Sequence, residues 1–109
     1  MADAKIKVII KRPDEQYGHV TNISPSLKNL QKTVEGYIEQ VSIGGSAVLL
    51  CNEEGKIRNL ERNFIIGFKG FVTDIICGTA IIAGVDGEGL IDVPISFDVW
   101  KRLLKEWGN

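Results

Sequence analysis

Short runs rich in Ile and Val, each followed closely by a turn-forming residue, constrain the fold of this chain more than any other feature. In the first run, Ile6, Val8 and Ile10 occupy alternate positions. Alternation of this kind is typical of a β-strand, because successive side chains point to opposite faces. Many short strands joined by short loops favour a mostly antiparallel sheet.

The strand pattern recurs along most of the chain, and glycine-rich connections separate several of the runs. Gly44-Gly45-Ser46 suits a hairpin with positive φ angles, and Gly78 predicts a bulge or tight bend. The segment 85–89 reads as another hairpin turn, whereas residues 57–64 carry weak signals and Gly67 and Gly70 predict a loop. The predicted strands are Ala4–Lys11, His19–Ile23, Tyr37–Ile43, Ala47–Cys51, Phe71–Ile76, Thr79–Gly84 and Leu90–Val93.

Two segments have helical spacing instead. Ser24 followed by Pro25 is a helix-start signal, a hydroxyl cap before a proline at the first helical position, and Gly36 predicts the helix end. Between them the apolar positions fall on one helical face. The residues on that face are Leu27, Leu30 and Val34.

The second helical segment lies at the carboxyl end, where Ser96 is the predicted cap and Gly108 the predicted end. An apolar stripe follows the cap, and its members are Phe97, Trp100, Leu104 and Trp107. We expect this stripe to dock on the sheet and complete the core. The alternative is that it crosses to a second subunit or to another protein.

These elements predict one α+β domain over residues 1–109. It contains a mostly antiparallel sheet of about five to seven strands. Two helices cover one face of that sheet, the second at the C-terminus.

Charge and composition exclude several classes of function. Thirteen Lys and Arg against 14 Asp and Glu give a formal net charge of −1, so the basic surplus needed for direct DNA binding is missing. No stretch approaches the ~20 apolar residues of a membrane span, and residues 1–10 do not resemble a signal peptide. Cys51 and Cys77 have no metal-ligand or redox spacing and read as free thiols. These features predict a cytoplasmic protein without membrane partners.

The sequence contains few groups suited to catalysis. His19 is the single histidine, and no nucleophile motif or phosphate-binding glycine loop is present. We therefore expect no catalytic residues, no metal site and no cofactor, and a protein that is not an enzyme.

One segment, residues 52–63, is denser in polar side chains than its surroundings. It contains Asn52, Arg58, Arg62 and Asn63 together with four acidic or basic neighbours, Glu53, Glu54, Lys56 and Glu61. Amides supply both donors and acceptors, and the guanidinium is a planar fork suited to phosphate or carboxylate. An exposed turn with a charged edge strand explains the same composition equally well, so the sequence leaves both interpretations open.

This segment and several others carry a family resemblance. In order and spacing they resemble the domain of unknown function 3846 family, whose members are similar across bacteriophages, plasmids and other mobile elements. The resemblance covers roughly Lys5 to Asp86 and departs at the end, in Pro94 to Gly108. Where the family often has Gly-Gly-Tyr-Ile-Glu, this chain has Glu35 at the first glycine. The segments are Lys5–Ile9, Glu35–Glu39, Asn52–Lys56, Asn63 and Ile76–Gly84.

The resemblance implies a non-catalytic accessory protein in the cytoplasm of a host cell. We expect it to act in counter-defence by binding and sequestering a small anionic, nucleotide-like signalling ligand. Tyr37 would stack on a base, Arg58 or Arg62 would pair with phosphate, and three further side chains would read polar edges. Those three are Asn52, Asn63 and Thr79.

Two further interpretations remain open at this point. Tyr37 and Thr79 are also good strand residues, and asparagine suits turns without binding anything. The alternative function is a protein-binding inhibitor or adaptor that acts on a host protein through the terminal helix or a sheet edge.

Because strands rich in Ile and Val leave an edge to cover, we also expect a homodimer or higher homo-oligomer.

Overall fold

The computed structural model describes residues 4–87 and 89–109, and Glu88 of the predicted 85–89 turn lies outside them. In chain order the described elements are β1 (Ile6–Lys11), β2 (His19–Ile23), α1 (Leu27–Val34), β3 (Ile38–Gly44), β4 (Ala47–Asn52), β5 (Arg62–Phe68), β6 (Phe71–Cys77), β7 (Ala80–Asp86), β8 (Gly89–Ile91) and α2 (Phe97–Glu106). This arrangement confirms the α+β class and the C-terminal second helix. The eight described strands form one sheet of six strands, within the expected range of five to seven, and a separate sheet of two strands.

The larger sheet has the strand order β2-β1-β7-β4-β3, with β8 added on β7. Every pairing among the described strands is antiparallel, as expected from the short connections. β1 and β2 form the hairpin predicted from the sequence, with Ile6 opposite Ile23 and Ile10 opposite His19. β5 and β6 form a separate two-stranded sheet.

Both faces of the central strands are buried, which places the helices differently from the expectation. Every residue of β4 is buried, as are the first five of β7. On one face, Leu30 and Val34 of α1 pack against residues such as Ile81; on the other, α2 and the β5–β6 hairpin pack against residues such as Ile82. The expectation that both helices cover one face was wrong. Continuous apolar runs in β4 and β7 are the signal for two covered faces.

The helix boundaries correct the predicted start of α1. Its N-cap is Ser26, whose hydroxyl oxygen accepts from the Asn29 backbone N–H at 3.2 Å, so Ser24 and Pro25 precede the helix. The helix ends at Val34, and Glu35, with φ of 64°, takes the left-handed position in place of glycine. In α2 the expected cap is confirmed, because the Ser96 hydroxyl accepts from the Val99 N–H at 3.1 Å.

The β5–β6 hairpin occupies a segment in which the sequence signals were weak. Gly67 lies within β5, where the strand register shifts, and is not part of a loop. A Cβ on Gly67 would overlap the Trp107 carbonyl oxygen, so glycine allows the end of α2 to approach the strand. Gly78, with φ of 83°, makes the predicted tight bend between β6 and β7.

The terminal stripe completes the core. Trp100 and Leu104 are fully or almost fully buried, and the Trp100 ring meets Phe64 edge-to-face with centroids 5.6 Å apart. Trp107 stacks on the same Phe64 ring at 6.1 Å. The apolar face of α2 therefore packs into the core of its own chain.

Candidate functional site

Three of the six predicted binding residues meet at the C-terminal end of α1. Asn52 ends β4, Tyr37 connects α1 to β3, and Arg58 lies in the turn after β4. The structure joins these segments because Glu53 N–H donates to the Tyr37 carbonyl at 2.9 Å, which continues the β3–β4 pairing by one step.

Asn52 holds the end of α1 in place. Its amide Nδ2 donates to the carbonyls of Val34 and Glu35, both at 3.1 Å, and its Oδ1 accepts from the Glu54 N–H at 2.8 Å. The side chain is 5% exposed. Carbonyls at a helix end lack partners within the helix, so Asn52 stabilises the fold by bonding them. It supports the site by fixing the end of α1 and does not itself line the depression described below.

Arg58 bonds to the same helix end from the solvent side. Its Nη1 donates to the Glu35 carbonyl at 2.6 Å, while the residue as a whole remains exposed. One N–H of five fixes the guanidinium, and the planar fork retains further donors. Gly36 permits this approach, since a Cβ there would lie 2.6 Å from Asn52 Nδ2 and 2.9 Å from Arg58 Nη1.

A shallow depression of about 300 Å³ opens beside this contact. We call it the Tyr37 depression, and it is lined by Gln31, Gly36, Tyr37, Glu54 and Arg58. The Tyr37 side chain is 66% exposed. An aromatic ring, a fixed guanidinium, a carboxylate and an amide thus share one small surface.

The other predicted residues lie elsewhere. Asn63 Nδ2 donates to the carbonyls of Lys11 and Gly78 at 2.7 and 2.8 Å, and its Oδ1 accepts from the Lys11 ammonium at 2.6 Å. Thr79 is buried beside the start of β7, and Arg62 is exposed at the start of β5. Asn63 therefore joins β1 to the bend at Gly78, and these three residues do not line the Tyr37 depression.

Lys11, which Asn63 contacts, is a buried cation. Burial lowers the pKa of the Lys11 ammonium, and the negative charges of Glu15 and Asp14 oppose this effect. Its Nζ also donates to the Glu15 carbonyl at 2.8 Å. The ammonium is thereby satisfied within the fold.

A second cavity, of about 230 Å³, is lined in part by other residues of the 53–59 turn and by both cysteines. Burial raises the pKa of the Cys51 thiol to about 12, and the carboxylates of Glu39 and Asp74 add to the effect. Lys56 bonds Asp74 at 2.7 Å, which raises the pKa of the exposed ammonium. A protonated thiol among carboxylates is a poor receptor for an anion.

Among residues 4–87 and 89–109, no group of three or more His, Cys, Asp or Glu side chains is placed to hold a metal ion. Within the same described ranges, no helix is long and apolar enough to cross a membrane.

Sequence reasoning missed three residues of the Tyr37 depression. Gln31 is on the polar side of α1, Gly36 was interpreted only as a helix end, and Glu54 was interpreted as part of a turn. The available signal was their proximity in sequence to Tyr37 and Arg58. It could not be used without knowing that the 53–59 turn folds against α1.

Comparison with known proteins shows the family. A model described as domain of unknown function 3846 matches residues 6–105. The match continues past Asp86, where the resemblance noted in the sequence ended, and includes all but the last residue of α2. Searches of curated proteins and of solved structures found no significant match. With its matched range covering most of its length, the chain belongs to the domain of unknown function 3846 family.

Proposed function

We propose that this protein is a non-catalytic binding protein that sequesters a small anionic, nucleotide-like ligand in the Tyr37 depression. The observation that carries the proposal is the Tyr37 ring, 66% exposed beside a guanidinium held at 2.6 Å on the Glu35 carbonyl. A large aromatic side chain left in water at a polar concave surface is suited to stacking on a base.

The charges lining the depression restrict the ligand. Arg58 provides one cation suited to a phosphate, whereas the nearby Glu54 carboxylate opposes a highly charged ligand and accepts from sugar hydroxyl or base amino groups. The volume of about 300 Å³ is at the lower end of the range for small-molecule sites. These properties favour one nucleotide unit with one phosphate group.

The biological role belongs to the same proposal. Sequestration of a signalling nucleotide would serve a phage or mobile-element accessory protein that counters a host defence in the host cytoplasm. It is supported by the family resemblance, by the small size of the chain and by a site with recognition groups but no paired acid and base.

Isothermal titration calorimetry against a panel of cyclic and linear signalling nucleotides tests the proposal. We expect one ligand to saturate the protein, and Tyr37→Ala to weaken its binding by about tenfold or more, as loss of one base stack implies. Tyr37→Phe keeps the ring and should bind almost as well. Absence of binding across the panel by well-folded protein would refute the proposal.

Arg58 has a matched control in Arg62, which is also exposed but lies outside the depression. Arg58→Gln should weaken the nucleotide while Arg62→Gln should not. Because Arg58 also bonds the end of α1, thermal unfolding of both variants must accompany the titration. If both variants lost nucleotide affinity equally, the binding would be due to general charge attraction.

The tip of the β5–β6 hairpin favours the alternative, a protein-binding inhibitor or adaptor that acts on a host protein. Phe68 and Phe71 face each other across the Lys69-Gly70 turn and are 66% and 76% exposed, and Val72 beside them is 56% exposed. Two such rings present roughly 300 Å² of apolar surface. Two tips in contact would bury only about 600 Å², less than a stable dimer needs.

The partner that fits this convex tip is therefore a protein with an apolar pocket that surrounds it. Phe71→Ser should abolish capture of one stoichiometric host partner while leaving nucleotide binding intact. The buried α2 stripe no longer serves as the docking surface for this alternative. Retained capture by Phe71→Ser would exclude the tip as the binding surface.

The homodimer or higher homo-oligomer is a separate proposal, supported by the open outer edges of β2 and β3 in the larger sheet. Sedimentation at micromolar concentration should show a mass above the 12.0 kDa of one chain. A mass near one chain would refute it.

A further inference from the structure

A basic depression on α2 is distinct from the site proposed above. Tyr17, Asp98, Lys101, Arg102 and Lys105 line a volume of about 310 Å³. Three cations and one carboxylate give this surface a formal surplus of two positive charges, although the whole chain carries −1. Since α1 and α2 pack on opposite faces of the larger sheet, this depression is separated from the Tyr37 depression by the core.

Tyr17 is fixed at the base of the depression by the core. The Trp100 indole N–H donates to the Tyr17 carbonyl at 2.8 Å, and the Tyr17 side chain packs against the cluster that contains Trp100. Trp100 itself is fully buried. The phenol is thus positioned by a contact that the fold requires.

The lysines are gathered around that ring. Lys101 Nζ lies 5.6 Å and Lys105 Nζ 6.0 Å from the Tyr17 ring centroid. Cation–π attraction holds ammonium groups near an aromatic face and reduces the cost of placing two of them close together. Arg102, which follows Lys101 in α2, adds the planar donor fork of its guanidinium group.

The opposing carboxylate neutralises little of this charge. Asp98 approaches Lys101 at 3.4 Å, but its side chain is 84% exposed. Exposed ion pairs of this kind are weak and leave the ammonium free to bind an anion. The Tyr17 hydroxyl oxygen accepts from Gln16 Nε2 at 3.2 Å, so its own O–H proton can be donated into the depression.

We propose that this depression is a binding site for a diphosphate group. Because the exposed Asp98 neutralises little of the charge, the three cations exceed the charge of about −1.5 to −2 that one phosphate group carries at pH 7 and match two linked phosphates better. Charge-assisted N–H···O bonds are the strong contacts available to Lys and Arg. The volume of about 310 Å³ also leaves room beyond a single phosphate. The group is either free pyrophosphate or the diphosphate of a nucleotide, since both present the same oxygens.

The test is calorimetric titration of the full chain with inorganic pyrophosphate, repeated with a nucleoside diphosphate. We expect saturable binding, and about a tenfold loss in the Arg102→Gln/Lys105→Gln variant. Tighter binding of the nucleoside diphosphate would identify a nucleotide, and equal affinity would identify the diphosphate alone.

The matched control is Lys28→Gln/Lys32→Gln, which removes two exposed cations from α1. It should bind pyrophosphate within about twofold of the unmodified chain, and Tyr37→Ala should bind it unchanged. Equal weakening of the α1 and α2 variants, or no saturation at millimolar pyrophosphate, would overturn the proposal. Because Tyr37→Ala affects only the nucleotide site proposed earlier, failure of one site is distinguishable from failure of the other.

Discussion

Trp100→Ala is the substitution with the largest expected effect on stability. Trp100 is fully buried, with ring contacts to Phe64 at 5.6 Å and Trp107 at 5.8 Å. Truncation of a buried aromatic residue to alanine costs about 3–5 kcal/mol. The lost indole N–H also leaves the Tyr17 carbonyl, bonded at 2.8 Å, without this partner, which costs about 1–3 kcal/mol if water does not reach it.

This loss approaches the whole stability of a small domain, which is about 5–15 kcal/mol. We therefore expect Trp100→Ala to be largely unfolded or to unfold at very low urea, measured by far-ultraviolet circular dichroism. Trp100→Phe retains a ring but loses the indole N–H, so its cost should be about 1–3 kcal/mol.

Val99→Ala is the control, because it changes the adjacent helix position at a residue that is 36% exposed. It should cost less than about 1 kcal/mol. A Trp100→Ala protein that unfolds cooperatively within about 1 kcal/mol of the unmodified chain would refute the assignment of the α2 stripe to the core.

Four further predictions concern single residues. Asn52→Ala should lower the free energy of unfolding by about 2–3 kcal/mol in urea, because it removes one buried and two partly buried hydrogen bonds; a change near zero would contradict this. Glu35→Gly should raise the free energy of unfolding by about 0.5–1 kcal/mol, and with it the melting temperature, because glycine adopts the φ of 64° without steric strain; a lower melting temperature would argue against strain there. Cys51, with its thiol pKa raised to about 12, should resist iodoacetamide at pH 8 in folded protein and react in denaturant, as mass spectrometry would show; rapid labelling of the folded protein would be the contrary result. Burial lowers the pKa of Lys11 in the folded state, so the folded protein binds fewer protons than the unfolded chain between that lowered pKa and the ordinary lysine value of 10.5. Lys11 should therefore make stability rise with pH through that window, and urea titrations of Lys11→Met should lack this contribution; identical pH profiles would contradict it.

The sequence by itself determined the local elements. Alternating apolar residues identified β1, and the Ser96 cap and apolar stripe identified α2, because these signals depend on neighbours within one or two turns of chain. Gly44-Gly45 likewise marked the β3–β4 hairpin, in which both glycines have positive φ. β5 was missed because its position depends on packing against α2 and its pattern is irregular around Gly67.

The tertiary structure decided what each polar residue does. Asn52 and Asn63 were equally good candidates from composition, yet both use their amides on backbone groups far away in sequence, as in the bond from Asn63 to Lys11 across 52 positions. The Tyr37 depression exists only because the turn that carries Arg58 folds against α1, and the basic depression exists only because Trp100 holds Tyr17 across 83 positions. A local sequence window contains no information about such pairings, since their free energy comes from burying groups that the chain brings together only when the whole core forms.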